Sequence, residues 1–355
     1  MGPETKSEEE IKKFREIFGK VVQGKDLNFE EARFCADLII SGKSPQNLVA
    51  GLLVALRMKG ETSEEIAGFA YEMRQKAVKP KINDENIKPI DTCGTGGDGL
   101  HTFNASTASA IILASEGIKV AKHGNRAVSS NIGSADILEK LGVKINVEPE
   151  EVERELKEKN FVFLFAPKFH PAMKNVAPIR KELGIRTIFN LLGPITNPAG
   201  VKSQIIGVFS PDYAEKIAQA LSLLGTEKTF VFSGETEEGF FIDEISPSGR
   251  TFFFKLENGK IEKFELDARE ILGRKYKVEE LKQSENKPEI EFLNVLDGKE
   301  REALLDFVAL NVAAGFIICN KAKDFKEGYF MAKDIIKSSK AKKFLQERLT
   351  FQFSM

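Results

Sequence analysis

The sequence predicts an α/β protein: a small all-helical N-terminal domain, then a larger α/β domain with a central, mostly parallel (mixed) sheet flanked by helices. Three observations carry this prediction. Residues 8–79 hold only helix-period apolar patterning and helix start and stop signals. From about residue 88, short strand-like apolar runs alternate with helical stretches. After residue 240, two alternating segments meet at an Asn-Gly dipeptide, the mark of an antiparallel hairpin. The boundary falls near residue 80, giving units 1–80 and 81–355.

In the first helix Ile11, Phe14, Ile17, Phe18 and Val21 recur on one face. Asn28 with Glu31, and Thr62 with Glu65, have capping-box spacing. Ser44 before Pro45 reads as an N-cap followed by a proline at the first helical position, and Gly42, Gly60 and Pro80 read as stops. Next, KPIDTC is a strand entering a glycine-rich loop, and ASTASAIILASEG is the helix that follows. IKVAKHG is a strand entering a second polar loop, with GSADILEKLG as its helix. FVFLFAP, SQIIGVFS and KTFVFSG, beginning at 161, 203 and 228, are further strands, and PDYAEKIAQALSLLG is a helix between the last two. FFFKLENGKIEKFEL forms the hairpin around Asn258-Gly259, and helices near 300–319 and 324–338 finish the chain.

Length and composition narrow the function. A chain of 355 residues with 42% hydrophobic content buries a full core. With 52 basic and 53 acidic residues it lacks the basic excess of a nucleic-acid coat or a membrane-surface protein. Cys35, Cys93 and Cys319 have no metal-ligand spacing, and the acidic start MGPETKSEEE lacks an apolar signal core, so a reducing, cytoplasmic location is expected. FVALNVAAGFIIC is the longest apolar run; it contains Asn311, is too short to span a bilayer and reads as a buried helix.

The chemistry concentrates in two loops at strand ends, where ligands of such sheets bind. In GTGGDGLHTFNAST, Gly94, Gly96 and Gly97 let backbone amides approach a ligand, and Asn104 is placed to cap a helix whose first turn carries Ser106 and Thr107. Amides, helix dipole and hydroxyls together predict an anion site. The run is neither a dinucleotide fingerprint nor a P-loop. In KHGNRAVSSNIGS, Lys122 and Arg126 add charge, Asn125 an amide, and Ser129, Ser130 and Ser134 hydroxyls. Two such loops on successive strands predict a ligand with more than one phosphate, and hence Mg²⁺ with carboxylates nearby. Asp243 and Glu244 follow an apolar run; both serve one site only if the chain leaves strand geometry there, or if they address two ions.

A third stretch, 165–198, carries His170-Pro171, then Arg180, then Pro194. Arg180 is suited to pairing with a substrate carboxylate, while Pro171, Met173 and Pro194 are suited to walling an aromatic ring. His101, His123 and His170 each lie in one of these polar stretches. No Ser/His/Asp or Cys/His order points to a protein nucleophile.

DTCGTGGDGLHTFNAST, KHGNRAVSS, HPAMKNVAPIRKELGIRTIFNLLGPITNP and the late Asp-Glu pair, in that order, resemble the anthranilate phosphoribosyltransferase family from the helical block to about residue 340. The resemblance implies Mg²⁺-dependent transfer of a 5-phosphoribosyl group from phosphoribosyl diphosphate (PRPP) to the amine of anthranilate, a step of tryptophan biosynthesis. It implies donor binding by Gly94, Gly97, Asp98, Thr102, Asn104, Ser106 and Thr107. Lys122, His123, Gly124, Asn125, Arg126, Ala127, Val128, Ser129, Ser130 and Ser134 would complete that site. Ser106 with Glu244 would hold one Mg²⁺, and Asp243 with Glu244 a second. Gly94, Asn125 and Arg180 would contact anthranilate, with His123, His170 and Pro194 along its path. The helical domain would be completed by helices near 175–200 and would mediate a homodimer. Neither nucleic acid nor membrane is implied as a partner. SENKPEIEFLNVLDGKE, 284–300, departs from the family pattern and is expected to lie remote from the site; Asn131 after Ser130 departs as well. The competing readings are a pyrimidine nucleoside phosphorylase, which needs no carboxylate-held Mg²⁺, and a non-catalytic nucleic-acid-binding relative, which would show a basic face and eroded metal ligands.

Overall fold

The computed structural model of the protein describes residues 3–127 and 132–350. Four helices come first: α1 (Pro3–Val22), α2 (Phe29–Ile40), α3 (Gln46–Lys59) and α4 (Ser63–Gln75). Asn28 and Thr62 make both reciprocal bonds of the capping box, with Glu31 and Glu65. Ser44 is a correction: α3 begins at Gln46 with Pro45 in the cap position, and the Ser44 hydroxyl bonds nothing. The helix starts one residue later than the Ser-Pro order predicts, with the proline's fixed φ at the cap position itself.

Strands and helices then alternate: β1 (Ile90–Gly94), α5 (Ala105–Ser115), β2 (Val120–Gly124), α6 (Ser134–Lys140), α7 (Val152–Lys159), β3 (Phe161–Phe165) and the one-turn α8 (Ala166–Phe169). After α9 (Ala177–Leu183) and α10 (Phe189–Leu192) come β4 (Ser203–Gly207), α11 (Pro211–Leu223), β5 (Lys228–Glu235) and the short β6 (Phe241–Ile242). The chain closes with β7 (Arg250–Glu257), β8 (Lys260–Asp267), α12 (Arg269–Leu272), α13 (Pro288–Leu296), α14 (Glu302–Ile318), α15 (Phe325–Lys337) and α16 (Lys340–Phe344).

The sheet order is β3-β2-β1-β4-β5-β7-β8, with β6 on β5. Strands β3, β2, β1, β4 and β5 are parallel, and β6, β7 and β8 join antiparallel. In β3, Phe161 and Phe163 face one core while Val162 and Leu164 face another, so an unbroken apolar run is what a strand covered on both faces requires. Asn258 and Gly259, both at positive φ, turn β7 into β8 as the dipeptide predicts.

Behind one face lies α14, buried along nearly its whole length, which is why its sequence is apolar all round. Among the described residues no helix is long and apolar enough to cross a membrane. On the other face, Phe14, Leu52 and Phe69 of the N-terminal helices share one core with Ile179 of α9, Phe189 and Leu192 of α10, Ile217 of α11 and Val231 of β5. The segment 284–300 that departs from the family pattern contains all of α13, whose Phe292 stacks on Phe103 at 5.6 Å. It is not remote from the first loop: Ser284 and Pro288 line a cavity together with His101 and Thr102.

Candidate active site

Registration of the strands builds the site. Gly94 of β1 pairs with Gly207 of β4, and Gly124 of β2 with Phe165 of β3, so these strand ends form one edge. β6 has only two residues, running back along β5 with Ile242 opposite Gly234. The chain then bends out of the sheet and carries Asp243 and Glu244 across that edge. The departure from strand geometry is what lets neighbouring side chains serve one place.

Three strand glycines make room for this turn. A β-carbon on Gly94 would collide with the Asp243 carboxylate, one on Gly207 with the Asp243 backbone, and one on Gly234 with the Glu244 carbonyl. All three have ordinary φ, so space alone is at stake. Gly207→Ala is therefore expected to cost about 1–3 kcal/mol in urea unfolding, the range of core overpacking, as the Asp243 backbone is displaced.

The turn is tied to the first loop and its helix. The Gly96 N–H donates to Asp243 Oδ2 at 2.6 Å, and the Ser106 N–H in the first turn of α5 donates to Glu244 Oε1 at 2.9 Å. Asn104 is a second correction. It stands at the cap position, but its side chain accepts from the Thr107 hydroxyl at 2.7 Å and makes no capping bond. Its backbone (φ −73°, ψ 63°) is not the extended one a side-chain cap uses, and Glu244 takes the orphan amide from across the sheet. The buried Lys122 ammonium donates to the Thr92 carbonyl at 2.5 Å and to Ser106 Oγ at 3.3 Å. Ser106, Lys122, Asp243 and Glu244 thus meet at one point.

The electrostatics are one-sided. Burial, then the charge of Asp98, raises Asp243 to about 7; burial and the charge of Asp243 push Glu244 well above the ordinary carboxylate range. Burial also lowers Lys122, opposed chiefly by Asp91. Asp98 Oδ1 accepts from the Leu100 N–H at 3.0 Å. Close carboxylates in low dielectric favour a cation between them.

Beside the first loop, His101 and Thr102 line a cavity of about 580 Å³ with Ile132, Asp136 and Lys140 on one side and Gln283, Ser284, Glu285 and Pro288 on the other. Asn125 is exposed, and its backbone carbonyl accepts from Ser134 Oγ at 3.4 Å. Gly124 lies close against Ser134. Arg126 turns to Asp136 and Glu139 at 3.0 and 2.7 Å, so its charge is matched within the loop. Ala127 donates its N–H to Asp136 at 2.9 Å. Val128, Ser129 and Ser130 lie outside the described residues.

A second group sits beside the first. The His123 and His170 rings lie 5.0 Å apart, each with an Nε2 that bonds nothing. His123 Nδ1 is 3.1 Å from the Gly193 carbonyl, next to Pro194, whose own carbonyl takes the Gln204 amide at 2.8 Å. Burial pushes His123 down to about 3 and His170 to about 4, so both are neutral at pH 7. Arg180 on α9 is half-buried, with its guanidinium 5.9 Å from the centre of the Phe189 ring. No carboxylate among the described residues pairs with it, and burial lowers its pKa. Within this structure Arg180 makes no bond to Gly94 or Asn125.

Sequence reasoning passed over several residues that organise the site. Buried Asp91 accepts from the His123 N–H at 3.2 Å and from Asn197 at 2.8 Å, locking β1 to β2. Asn311, noted in the sequence only as a polar break in an apolar helix, accepts the Ile245 N–H at 3.1 Å and so fixes the chain just after Glu244. Arg186 lies against the glycine loop. An aspartate inside the apolar run KPIDTC was the one available signal for Asp91; Asn311 and Arg186 depend on tertiary contacts.

Comparison with known proteins follows the same outline. Residues 86–342 match the model described as the α/β domain of a glycosyl transferase family, and residues 15–77 match its helical bundle domain. The anthranilate phosphoribosyltransferase of Petrotoga mobilis is 47% identical, over 95% of this chain and 96% of its own. The crystal structure of anthranilate phosphoribosyltransferase from Thermus thermophilus superposes with a TM-score of 0.84 at 39% identity, covering 94% of this chain and 98% of that one. The Saccharomyces cerevisiae enzyme in complex with PRPP and Mg superposes with a TM-score of 0.83 at 27% identity, covering 95% and 96%. With both halves matched and almost all of each chain aligned, the protein belongs to the anthranilate phosphoribosyltransferase family.

Proposed function

We propose that this enzyme transfers the 5-phosphoribosyl group of PRPP to the amine of anthranilate at the edge formed by β1, β2 and β4, using Mg²⁺ held by Asp243 and Glu244. The C1–O bond to diphosphate breaks with its electron pair leaving on diphosphate, the N–C1 bond forms, and the amine's proton passes to solvent. The meeting of Ser106, Lys122, Asp243 and Glu244 carries the reading. That the yeast relative takes PRPP with Mg supports it.

The donor set fits the metal. It is all oxygen, the hard ligands Mg²⁺ takes, and one or two carboxylates completed by substrate phosphate is its usual shell. Burial that raises both carboxyls, reinforced by the charge of Asp98 on Asp243 and of Asp243 on Glu244, is a second indication. Ser106 with Glu244 would hold one ion and Asp243 with Glu244 another. Bound there, Mg²⁺ would neutralise the charge gathering on departing diphosphate.

The chain's own groups do the rest. Lys122 adds a fixed cation to the leaving group, and the amides of Gly94, Gly97 and Asp98 face the same anion. Asn104 and Thr107 hold the start of α5, and Thr102 from the first loop with Asn125, Arg126, Ala127 and Ser134 from the second would contact the donor. Arg180 pairs with the anthranilate carboxylate and Asn125 helps orient the ring, with His123, His170 and Pro194 along its path. Imidazoles with such depressed pKa values are weak proton acceptors, so placement and electrostatics account for the rate without a protein base. Met58 on α3 and Val22 on α1, exposed apolar residues, support a homodimer through the helical part. A cytoplasmic location accords with that function.

Mixing the protein with PRPP, Mg²⁺ and anthranilate tests this directly. Anthranilate fluorescence decays as diphosphate appears, and removal of Mg²⁺ by chelation stops the decay. A trace that stays flat under all conditions defeats the proposal.

A further inference from the structure

Arg186 has no role in the chemistry described so far, yet its surroundings are specific. Its Nη2 lies 3.5 Å from the Gly96 carbonyl, the other side of a residue whose N–H is bonded to Asp243. Its guanidinium fills the space where a β-carbon of Gly97 would stand, and Gly97 has a φ of +77°. It lies over the Phe209 ring at 4.4 Å, and Phe209 in turn donates its N–H to the Thr95 hydroxyl at 3.3 Å. No carboxylate among the described residues forms an ion pair with it. Asp98 and Asp243 are near enough to act on its charge, as is Arg57 with the opposite sign.

We propose that Arg186 is a positioning residue for the donor: it clamps the glycine loop from the side opposite Asp243, so that the loop amides and the Asp243 carboxylate are presented together. A planar guanidinium suits this place, because one face stacks on Phe209 while its edge meets the peptide of Gly96. Arg186 also stands just past Gly184, the left-handed residue that ends α9, so the helix bearing Arg180 and the clamp on the donor loop belong to one short segment. This inference rests on the PRPP-binding reading above.

Calorimetric titration of the protein with PRPP in the presence of Mg²⁺ tests it without relying on turnover. Arg186→Ala is expected to weaken PRPP binding about tenfold or more, the scale of a loop misplaced by a fraction of an ångström. The melting temperature and the Km for anthranilate at saturating PRPP should stay close to wild type. Arg186→Lys, which keeps the charge and loses the plane, should recover part of the loss. PRPP affinity in Arg186→Ala within twofold of wild type overturns the clamp, as does equal loss in Arg186→Ala and in Arg186→Lys. Wild-type protein that binds no PRPP overturns the clamp together with the functional reading on which it rests.

Discussion

Glu244→Gln lowers kcat by roughly 100-fold or more and flattens the response to Mg²⁺, while the ligand-free protein becomes more stable. Both effects have one cause. Glu244 is buried with Asp243 as neighbour, and both burial and that charge disfavour its ionised form, which a bound cation would offset. Removing one preorganised electrostatic group typically costs 10²–10³ in kcat, so the loss should be of about that size. The stability gain follows from the sign of the shift. A carboxyl whose pKa is higher folded than unfolded costs nothing at low pH. It begins to cost as pH passes the unfolded value, roughly 4, and costs most above the folded value. For Asp243 that window runs up to about 7, and Glu244 is shifted in the same direction. Ligand-free wild type should therefore lose stability across this range, and Glu244→Gln and Asp243→Asn should lose less. Mg²⁺ should stabilise wild type increasingly as pH rises through the same window. Melting curves at several pH values, with and without Mg²⁺, check all of this; a variant with wild-type kcat and wild-type metal response would remove Glu244 from the metal site.

The second large effect concerns the acceptor. In Arg180→Ala the Km for anthranilate should rise roughly 10- to 100-fold with a much smaller change in kcat at saturation. Hydrogen bonds to charged groups contribute about 1.5–3 kcal/mol, which is that range at 1.4 kcal/mol per decade. The guanidinium is half-buried, free of any carboxylate partner among the described residues, and backed by Phe189, so its charge is held ready for a ligand. Arg180→Lys should fall between wild type and Arg180→Ala, since a point charge replaces a two-pronged donor. Aniline, which lacks the carboxylate, supplies the control. Its weak reaction should be nearly indifferent to Arg180→Ala, and an equal loss for both amines would show that Arg180 acts on something other than the carboxylate.

Legibility in the sequence followed the range of the interactions. Local signals were sound: the capping boxes at Asn28 and Thr62, the Asn258-Gly259 hairpin, and strands running into glycine loops are written within a few residues. The acidic pair was legible in kind, including its need to leave the strand, because a Pro and a Gly follow closely. Failures came where a distant group outbid a local one. Asn104 looked like a cap until the Ser106 amide was taken by Glu244, 138 residues further along the chain from Ser106. Arg126 looked like a free cation, but Asp136 and Glu139 on the next helix hold it. Arg186 and Asn311 carry no pattern of their own; what they touch is decided by how the segments pack.

Gly94, Gly207 and Gly234 have a consequence for anyone wishing to move this chemistry. The acidic pair looks portable, a dipeptide on a bend, yet the bend fits only because three strands have been left bare beneath it. Transplanting Asp243-Glu244 into a host sheet whose strand tips bear side chains would bury the carboxylates nowhere and aim them at nothing. The unit that could be borrowed is the whole frayed rim of the sheet, bare tips included.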